Sequence, residues 1–220
     1  MRPFDPDQSR RDMVEVQLRR RGIRDPRVLE AIGRIPRELF VPEDQWLFAY
    51  EDAPIGIGFG QTISQPFMTA FMCEALELTG REVVLDVGTG SGYHAAVLGA
   101  LAERVYSIER IPELAESARR NLHAARLDGN INVICGDGSQ GYPEAMPYDA
   151  ISVAAAAPDV PASLVDQLAD RGRLAIPVGT LDEQELLIVT KAGGEIRTRR
   201  STGCRFVPLR GAEGWRQEGE

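Results

Sequence analysis

The sequence predicts a doubly wound α/β fold, in which a mostly parallel sheet carries helices on both faces. Between residues 66 and 178, short apolar runs typical of strands alternate with helical patterns. A glycine-rich turn joins the first of these strands to a helix. Near residue 193 a Gly-Gly pair indicates a hairpin, so we expect an antiparallel C-terminal end.

Residues 1–62 are the predicted N-terminal helical and loop segment. Ser9 followed by Asp12 predicts a capped helix start before the run M-V-E-V-Q-L. Asp25-Pro26 predicts a second start, with the aspartate as N-cap and the proline in the first turn. A tightly turned segment that could lie against a ligand is predicted by three glycines: Gly56, Gly58 and Gly60.

Residues 63–178 are the predicted cofactor-binding α/β core. The predicted helices are Pro66–Leu78, Ser91–Leu101, Pro112–Ala125 and Pro161–Leu168. The predicted strands are Glu82–Val87, Arg104–Ile108, Ile131–Cys135, Asp149–Val153 and Arg173–Ile176. In such a sheet a ligand binds at the carboxyl ends of the strands.

Residues 179–211 are predicted to add the C-terminal strands. Glu185–Thr190 and Ile196–Ser201 flank Ala192-Gly193-Gly194, which predicts a hairpin turn. Residues 212–220 are polar and are predicted to be a frayed tail. We expect the whole chain, residues 1–220, to be one domain.

The composition excludes several classes of protein. The chain has 220 residues, 43% of them hydrophobic, and a net charge of -8, which disfavours nucleic acid as a partner. Its cysteines, Cys73, Cys135 and Cys204, form no C-x-x-C pair, so neither a disulfide framework nor a metal site is expected. Without an apolar signal core or a membrane span, the chain is expected to be soluble. The cysteine pattern fits a reducing cytoplasm, and we expect a monomer.

The glycine turn at residues 88–92 indicates a cofactor site. The run V-V-L-D-V-G-T-G-S-G-Y places Gly88, Gly90 and Gly92 after a strand that ends near Asp86, and a second strand ends at Glu109. Dinucleotide sites use the spacing G-x-G-x-x-G, whereas this spacing is one residue shorter. It resembles the glycine loop of S-adenosylmethionine-dependent methyltransferases. The alternative is that the glycines serve only a tight turn.

A further acid follows the third predicted strand. Asp137 lies in the run G-D-G, next to Gly138, just after Ile131–Cys135. Because parallel strands end at one edge of the sheet, we expect Asp86, Glu109 and Asp137 to converge there. The alternative for Asp137 is an ordinary turn aspartate.

Several motifs outside the glycine loop resemble one family, the protein-L-isoaspartate O-methyltransferases. The most specific are T-I-S-Q-P at residues 62–66 and R-F-V-P-L at residues 205–209, in this order. The resemblance runs from about residue 10 to 211 and implies a Rossmann-like methyltransferase sheet. It also includes I-P-R-E-L-F-V-P at 35–42, G-D-G-S-Q-G-Y at 136–142, A-A-A-P at 155–158 and G-R-L-A-I-P-V-G at 172–179.

The resemblance implies methyl transfer from S-adenosyl-L-methionine to the carboxylate of isoaspartyl residues in damaged proteins or peptides, which initiates their repair. The products are the methyl ester and S-adenosyl-L-homocysteine, and no metal takes part. Ser64 falls on the active-site serine of the family. The implied cofactor contacts are Gln61, Thr62, Ile63, Ser64, Asp86, Gly88, Gly90, Gly92, Glu109, Asp137 and Gly138. The implied acceptor contacts are Thr62, Ser64, Val207, Pro208 and Leu209.

Alternatives remain open at the level of the sequence. Ser64 could instead cap the helix that begins near Pro66. A methyltransferase for a small carboxylate, or a sensor that only binds the cofactor, would share the glycine loop but not the acceptor motifs. Both histidines, His94 and His123, are expected to be structural. The sequence departs from many relatives at Ala154, Arg171 and Arg210.

Overall fold

The computed structural model describes residues 4–216 and contains seven strands in its main sheet. Two further short strands, β1 (Ile55–Gly58) and β2 (Gln61–Ile63), form a separate antiparallel hairpin. The main-sheet strands are β3 (Val83–Val87), β4 (Arg104–Glu109), β5 (Ile131–Cys135), β6 (Tyr148–Val153), β7 (Leu168–Gly179), β8 (Gln184–Ala192) and β9 (Glu195–Cys204). The helices are α1 (Pro6–Asp12), α2 (Pro26–Arg34), α3 (Pro66–Ala75), α4 (Tyr93–Leu101), α5 (Pro112–Ala124) and α6 (Ala162–Asp166).

The main sheet has the order β5-β4-β3-β6-β7-β8-β9. The first five strands of this order are parallel, whereas β8 pairs antiparallel with both β7 and β9. The direction of winding reverses at β3, which lies between β4 and β6, and a doubly wound sheet binds its ligand at such a switch point. The predicted fold class, a mostly parallel sheet with an antiparallel C-terminal end, is confirmed.

Both faces of the sheet are buried. Val84 in β3 packs in a cluster with the N-terminal helices, α3 and α4, whereas its neighbours Leu85 and Val87 pack in a second cluster with β6 and β7. Successive side chains of a strand point to opposite faces, so the apolar run in β3 supplies both clusters. Burial on both faces explains why these strands read as continuous apolar runs rather than as an alternation.

The helix starts follow the residues that cap them. The predicted start at Asp25-Pro26 is confirmed, because the Asp25 carboxylate accepts a hydrogen bond of 2.8 Å from the Arg27 amide. The predicted start at Ser9 is wrong. Helix α1 begins at Pro6, where the Asp5 carboxylate accepts from the Gln8 amide at 3.1 Å, and proline favours the first turn. Residues 13–18 then continue α1 with wider π-helical turns.

Some predicted boundaries in the core differ from the structure. The helix predicted from Ser91 begins at Tyr93, after Gly92 in the left-handed conformation. The helix predicted as Pro161–Leu168 is shorter, because Leu168 already pairs with Tyr148. The strand predicted as Arg173–Ile176 extends to Gly179, because β8 pairs with it along that length.

One departure from the family pattern, Arg171, lies in a bulge of β7. The short stretch of β6 from Tyr148 to Ala150 lies opposite the longer stretch from Leu168 to Arg173. Within this longer stretch Arg171 has a φ of 64°, a conformation that favours glycine. A Cβ at the following Gly172 would lie 2.8 Å from Leu168 Cγ, so that position requires glycine. Arg171 therefore occupies a position where glycine is the unstrained residue.

The C-terminal elements are largely as predicted. The turn between β8 and β9 consists of Gly193 and Gly194, with φ of 59° and 82°, as a two-residue hairpin turn requires. The predicted frayed tail is wrong for residues 212–216. The Trp215 indole donates a hydrogen bond of 3.1 Å to the Ala156 carbonyl, and its amide donates to the Leu209 carbonyl at 2.7 Å. Residues 217–220 of the predicted tail lie outside the described residues.

Candidate active site

One cavity at the carboxyl ends of β3, β4 and β6 brings together most of the predicted site residues. Its walls come from the β1–β2 hairpin, the glycine loop after β3, the end of β4 and the segment after β9. The predicted residues that line it are Gln61, Thr62, Ile63, Ser64, Gly88, Gly90, Glu109, Gly138, Val207, Pro208 and Leu209. Asp86, Gly92 and Asp137 do not line this cavity.

The glycine loop is held open by backbone geometry and by one carboxylate. Gly88 and Gly90 line the cavity and have φ of 93° and 55°, a left-handed conformation that favours glycine. The Glu109 carboxylate accepts one hydrogen bond of 2.8 Å from the Gly90 amide and another of 2.9 Å from the Ile111 amide. Because each carboxylate oxygen accepts only one of these bonds, each keeps a lone pair for a ligand.

Gly92 has a packing role. It precedes α4 with a φ of 93°, and a Cβ there would lie 3.3 Å from both Ala118 Cβ and Leu122 Cγ. The absence of a side chain lets the start of α4 approach α5. For this glycine, the structure favours the tight-turn explanation over a direct cofactor contact.

Asp86 lies beneath the glycine loop and is completely buried. The Ser107 hydroxyl donates a hydrogen bond of 2.7 Å to its carboxylate, and Ser107 in turn lies 2.6 Å from the Thr89 hydroxyl. The other carboxylate oxygen has no partner within residues 4–216. Burial raises the pKa of Asp86 to about 7, an effect that the Ser107 hydrogen bond opposes and the Glu109 charge reinforces.

Asp137 holds the chain that follows β9. Its carboxylate accepts hydrogen bonds from the Ser139 amide at 2.9 Å and from the Ala212 amide at 2.7 Å. Its neighbour Gly138 lines the cavity. A Cβ at Gly211 would collide with an Asp137 carboxylate oxygen, so this contact needs glycine. The side chain of Asp137 therefore joins the turn after β5 to the C-terminal segment.

The segment from Val207 to Arg210 forms one wall of the cavity. It runs beside the loop after β6, where the Leu209 amide donates to the Ala156 carbonyl and the Ala156 amide donates to the Val207 carbonyl, each at 2.8 Å. These two bonds place Pro208 opposite Ala156. This segment thus reaches the cavity through an isolated bridge rather than as a full strand.

Ser64 lies between β2 and α3 and faces the cavity. Gln65, not Ser64, occupies the N-cap position of α3, and no side chain caps that helix. Pro66 in the first turn removes one of the amides that a cap would satisfy. The alternative role of Ser64 as a helix cap is therefore excluded.

The two histidines differ in position. His123 is exposed and pairs with Asp128 at 2.9 Å, away from the cavity. His94 lines the cavity on α4, but its Nε2 lies 2.9 Å from the Ser152 hydroxyl. Burial lowers the pKa of His94 to about 4, so its imidazole is neutral at pH 7. These contacts support the structural role expected for both residues.

Sequence reasoning missed several residues that line the cavity. Thr69, Tyr93 and Ile111 come from helices or their approaches, where the sequence pattern marks only a buried face. The position of Tyr93, directly after the last glycine of the loop, was the one available signal. Of the departures from the family pattern, Ala154 and Arg210 also line the cavity.

Residues 4–216 contain no group of three or more His, Cys, Asp or Glu side chains placed to hold a metal ion. Within the same residues, no helix has both the length and the apolar character needed to cross a membrane.

Comparison with known proteins decides the family. The model of the protein-L-isoaspartate(D-aspartate) O-methyltransferases matches residues 8–214. The chain belongs to this family. A protein-L-isoaspartate O-methyltransferase 2 from Marinobacter nauticus is 57% identical over 213 residues, which cover 96% of this chain and 97% of that relative. A relative from Methanoculleus marisnigri with the same enzyme name is 51% identical over 96% of this chain and 95% of its own.

Solved structures agree with the sequence relatives. A protein-L-isoaspartate O-methyltransferase superposes with a TM-score of 0.83 at 30% identity, over 93% of this chain and 67% of that one. An enzyme of this type from Plasmodium falciparum, in complex with S-adenosyl-L-homocysteine, superposes with a TM-score of 0.79 at 30% identity, over 91% and 98% of the two chains. The predicted family and enzyme class, an S-adenosylmethionine-dependent carboxyl O-methyltransferase acting on isoaspartyl residues, are confirmed.

The raised pKa of Asp86 predicts a pH-dependent cost to stability. The unfolded chain ionises this carboxyl near pH 4, whereas the folded protein does so near pH 7, so the free energy of unfolding falls as pH rises between these values. Asp86→Asn removes this pH-dependent contribution to the free energy of unfolding. We expect the variant to gain stability relative to wild type between pH 4.5 and pH 8, by up to about 4 kcal/mol, measured by urea unfolding without ligand.

Asp44→Asn is the matched control, because Asp44 is exposed and does not line the cavity. Its difference from wild type should be the same at both pH values. A difference for Asp86→Asn that is equally independent of pH would contradict the assignment of the raised pKa.

Proposed function

We propose that this chain methylates isoaspartyl carboxylates in the cavity at the ends of β3, β4 and β6, with Ser64 orienting the acceptor. The observation that carries the proposal is the joint placement of three segments on that cavity: the glycine loop with Glu109, the T-I-S run, and the V-P-L run. A binding module would need only the first of these. Their common placement supports transfer between two ligands bound side by side.

On the cofactor side, Glu109 is the strongest candidate for a direct contact. Glu109 lines the cavity, and each of its carboxylate oxygens accepts only one hydrogen bond and keeps a lone pair, which fits the hydroxyl groups of a ribose. Gly88, Gly90 and Gly138 present backbone without side chains at the same wall. We assign Asp86 a supporting role beneath the loop, because its carboxylate is covered by Ser107 and the loop.

Asp137 is assigned a different role from the one the family resemblance implies. The Asp137 carboxylate does not line the cavity, and its oxygens accept hydrogen bonds from the Ser139 amide and hydroxyl and from the Ala212 amide. We therefore propose that the backbone of its neighbour Gly138 supplies the cofactor contact. The Asp137 side chain instead holds the C-terminal segment whose residues Val207–Arg210 form the acceptor wall of the cavity.

On the acceptor side, Thr62, Ser64 and the segment Val207–Leu209 line the same cavity. A carboxylate has a reference pKa of about 3.9 and is already ionised at pH 7, so no general base is needed. Burial lowers the pKa of His94 to about 4, which makes its imidazole a weak base. Ser64 is left with the task of orienting the carboxylate by a hydrogen bond.

When bound, S-adenosylmethionine supplies an electrophilic methyl group and a neutral thioether as leaving group. A carboxylate oxygen forms the new C–O bond while the S–C bond breaks, and its electron pair stays on sulfur. The protein's contribution is alignment of the two reactants in a cavity that excludes water. The apolar residues Ile63, Val207 and Leu209 in the wall serve that exclusion.

We propose that the enzyme acts as a monomer in the cytoplasm, on isoaspartyl-containing proteins and peptides, without a nucleic-acid or membrane partner. The net charge of -8 supports the absence of phosphate-rich partners.

The function is tested with an isoaspartyl peptide and its twin that contains a normal aspartyl residue. The extra backbone methylene of the isoaspartyl linkage changes the position of the carboxylate by on the order of 1 Å, enough for about a hundredfold difference in rate. We expect transfer of labelled methyl to the isoaspartyl peptide to exceed that to its twin by at least this factor. Equal methylation of both, or methylation of free dicarboxylates with neither peptide a substrate, would refute the proposal.

Glu109→Ala should weaken S-adenosylmethionine binding by about ten- to a hundredfold, because hydrogen bonds to a buried charge are worth roughly 1.5–3 kcal/mol each. Calorimetry measures the affinity. Glu113→Ala, an exposed substitution in the first turn of α5, is the control and should bind as wild type does. A folded Glu109→Ala protein with wild-type affinity would remove Glu109 from the cofactor site.

Ser64→Ala should lower kcat for the isoaspartyl peptide by about ten- to a hundredfold, through loss of one hydrogen bond to a charged group. Cofactor affinity should change much less, and the rate should not vanish. Comparison of the pH–rate profiles is the further check. A limb that reports a general base in wild type and is absent from the variant, or a methyl adduct trapped on Ser64, would contradict an orienting role.

A further inference from the structure

Arg37 is a completely buried cation close to the proposed acceptor site. It lies in the run I-P-R-E-L-F-V-P, which the cavity does not include, and it begins a 3₁₀ turn that ends at Phe40. Arginine is rarely buried unless its charge is paired or its donors are used. The burial of this side chain therefore needs a physical explanation, which its hydrogen bonds supply.

The guanidinium group of Arg37 joins two loops through their backbone carbonyls. Its Nε donates a hydrogen bond of 2.7 Å to the Ala49 carbonyl, and its Nη2 donates one of 2.8 Å to the Ser64 carbonyl. The planar fork of arginine can make both bonds at a fixed relative angle, which lysine cannot. Arg37 thus holds Ser64 through its backbone, while Ser64 itself faces the cavity.

An aromatic ring fixes the plane of this guanidinium. The Arg37 Cζ lies 4.6 Å from the centroid of the Tyr93 ring, and Phe40 packs edge-on against the same ring at 5.6 Å. Tyr93 lines the cavity and is itself buried, so the stack runs from Phe40 to the cavity wall. The Arg37 Nη1 and the Tyr93 hydroxyl have no hydrogen-bond partner in residues 4–216.

Burial of Arg37 costs stability. Removal from water lowers the pKa of the guanidinium, an effect that the neighbouring Tyr93, Tyr50 and Asp52 oppose. A well-packed apolar side chain of similar volume often stabilises a protein as much as, or more than, such a buried ion. The cation at this position is therefore better explained by what it holds in place than by its contribution to the fold.

We propose that Arg37 is a positioning residue for methyl transfer, because its hydrogen bond to the Ser64 carbonyl fixes the position of Ser64. This inference rests on the proposed orienting role of Ser64. Arg37 does not touch the acceptor; it acts through the backbone of the T-I-S run. Because displacement of about 1 Å at a reacting centre costs about a hundredfold in rate, loss of this bond should reach kcat.

The test is a double-mutant cycle on Arg37→Lys and Ser64→Ala, with kcat and KM measured for the isoaspartyl peptide and S-adenosylhomocysteine affinity measured by calorimetry. Arg37→Lys keeps the charge but cannot hold both carbonyls, so we expect kcat to fall about tenfold or more, with cofactor affinity within about threefold of wild type. In the Ser64→Ala background the same substitution should lower kcat less than about threefold.

Arg27→Lys is the matched control. Arg27 also donates to two backbone carbonyls, those of Leu78 and Leu101, but it lies outside the cavity lining. A structural effect of shortening such an arginine would appear in both variants as lower thermal stability. We expect only Arg37→Lys to lower kcat.

Each other outcome overturns the inference. An Arg37→Lys protein with wild-type kcat, or a substitution that lowers kcat equally with Ser64 present and in the Ser64→Ala background, would show that Arg37 does not act through Ser64. A variant that no longer binds S-adenosylhomocysteine would make Arg37 a requirement of the fold. The single Ser64→Ala variant separately tests the proposed function: if it turns over as wild type does, the role of Ser64 fails and this inference fails with it.

Discussion

The two hydrogen bonds accepted by Glu109 are the interaction on which the site depends most. They join the amide of Gly90, in the loop after β3, to the amide of Ile111, at the start of α5. The neighbouring parallel strands β3 and β4 end at the same edge of the sheet, and this carboxylate joins the two segments that follow them. The Ile108 carbonyl reinforces the connection by accepting hydrogen bonds from the Gly88 and Thr89 amides. The curvature of the glycine loop is therefore set by β4 rather than by the loop alone.

Several buried ionisable groups lie at or near the cavity, and each is stabilised by a different kind of neighbour. Asp86 is supported by a hydroxyl, Arg37 by two carbonyls and an aromatic face, and His94 by Ser152. None of these groups needs to exchange a proton with a substrate that is already ionised. Their common effect is to hold backbone and side chains in place near the cavity, which suits a transfer reaction governed by proximity.

The acceptor wall depends on contacts between segments far apart in the chain. Asp137, which follows β5, accepts the amide of Ala212, and Glu213 binds Ser163 at the start of α6. Trp215 then reaches the Ala156 carbonyl. These contacts explain why residues 212–216 are ordered although their composition is polar. Composition alone predicts a frayed tail, because it holds no information about hydrogen-bond partners that lie 50 or more residues away in the sequence.

The sequence by itself determined the order of the elements, the glycine loop and the family. Local rules were sufficient there: the apolar period, the proline and aspartate at the start of α2, and the Gly-Gly turn between β8 and β9 each act over a few residues. Only the tertiary structure decided which of the predicted residues meet. The motifs predict a cofactor contact for Asp86, Gly92 and Asp137, but each residue has a contact within the fold instead. The Asp86 carboxylate accepts a hydrogen bond from Ser107, Gly92 packs against α5, and the Asp137 carboxylate accepts a hydrogen bond from Ala212. Arg37 was buried by the same long-range packing. The physical reason is that a side chain's hydrogen-bond partners are set by the whole fold, whereas motifs record only its neighbours along the chain.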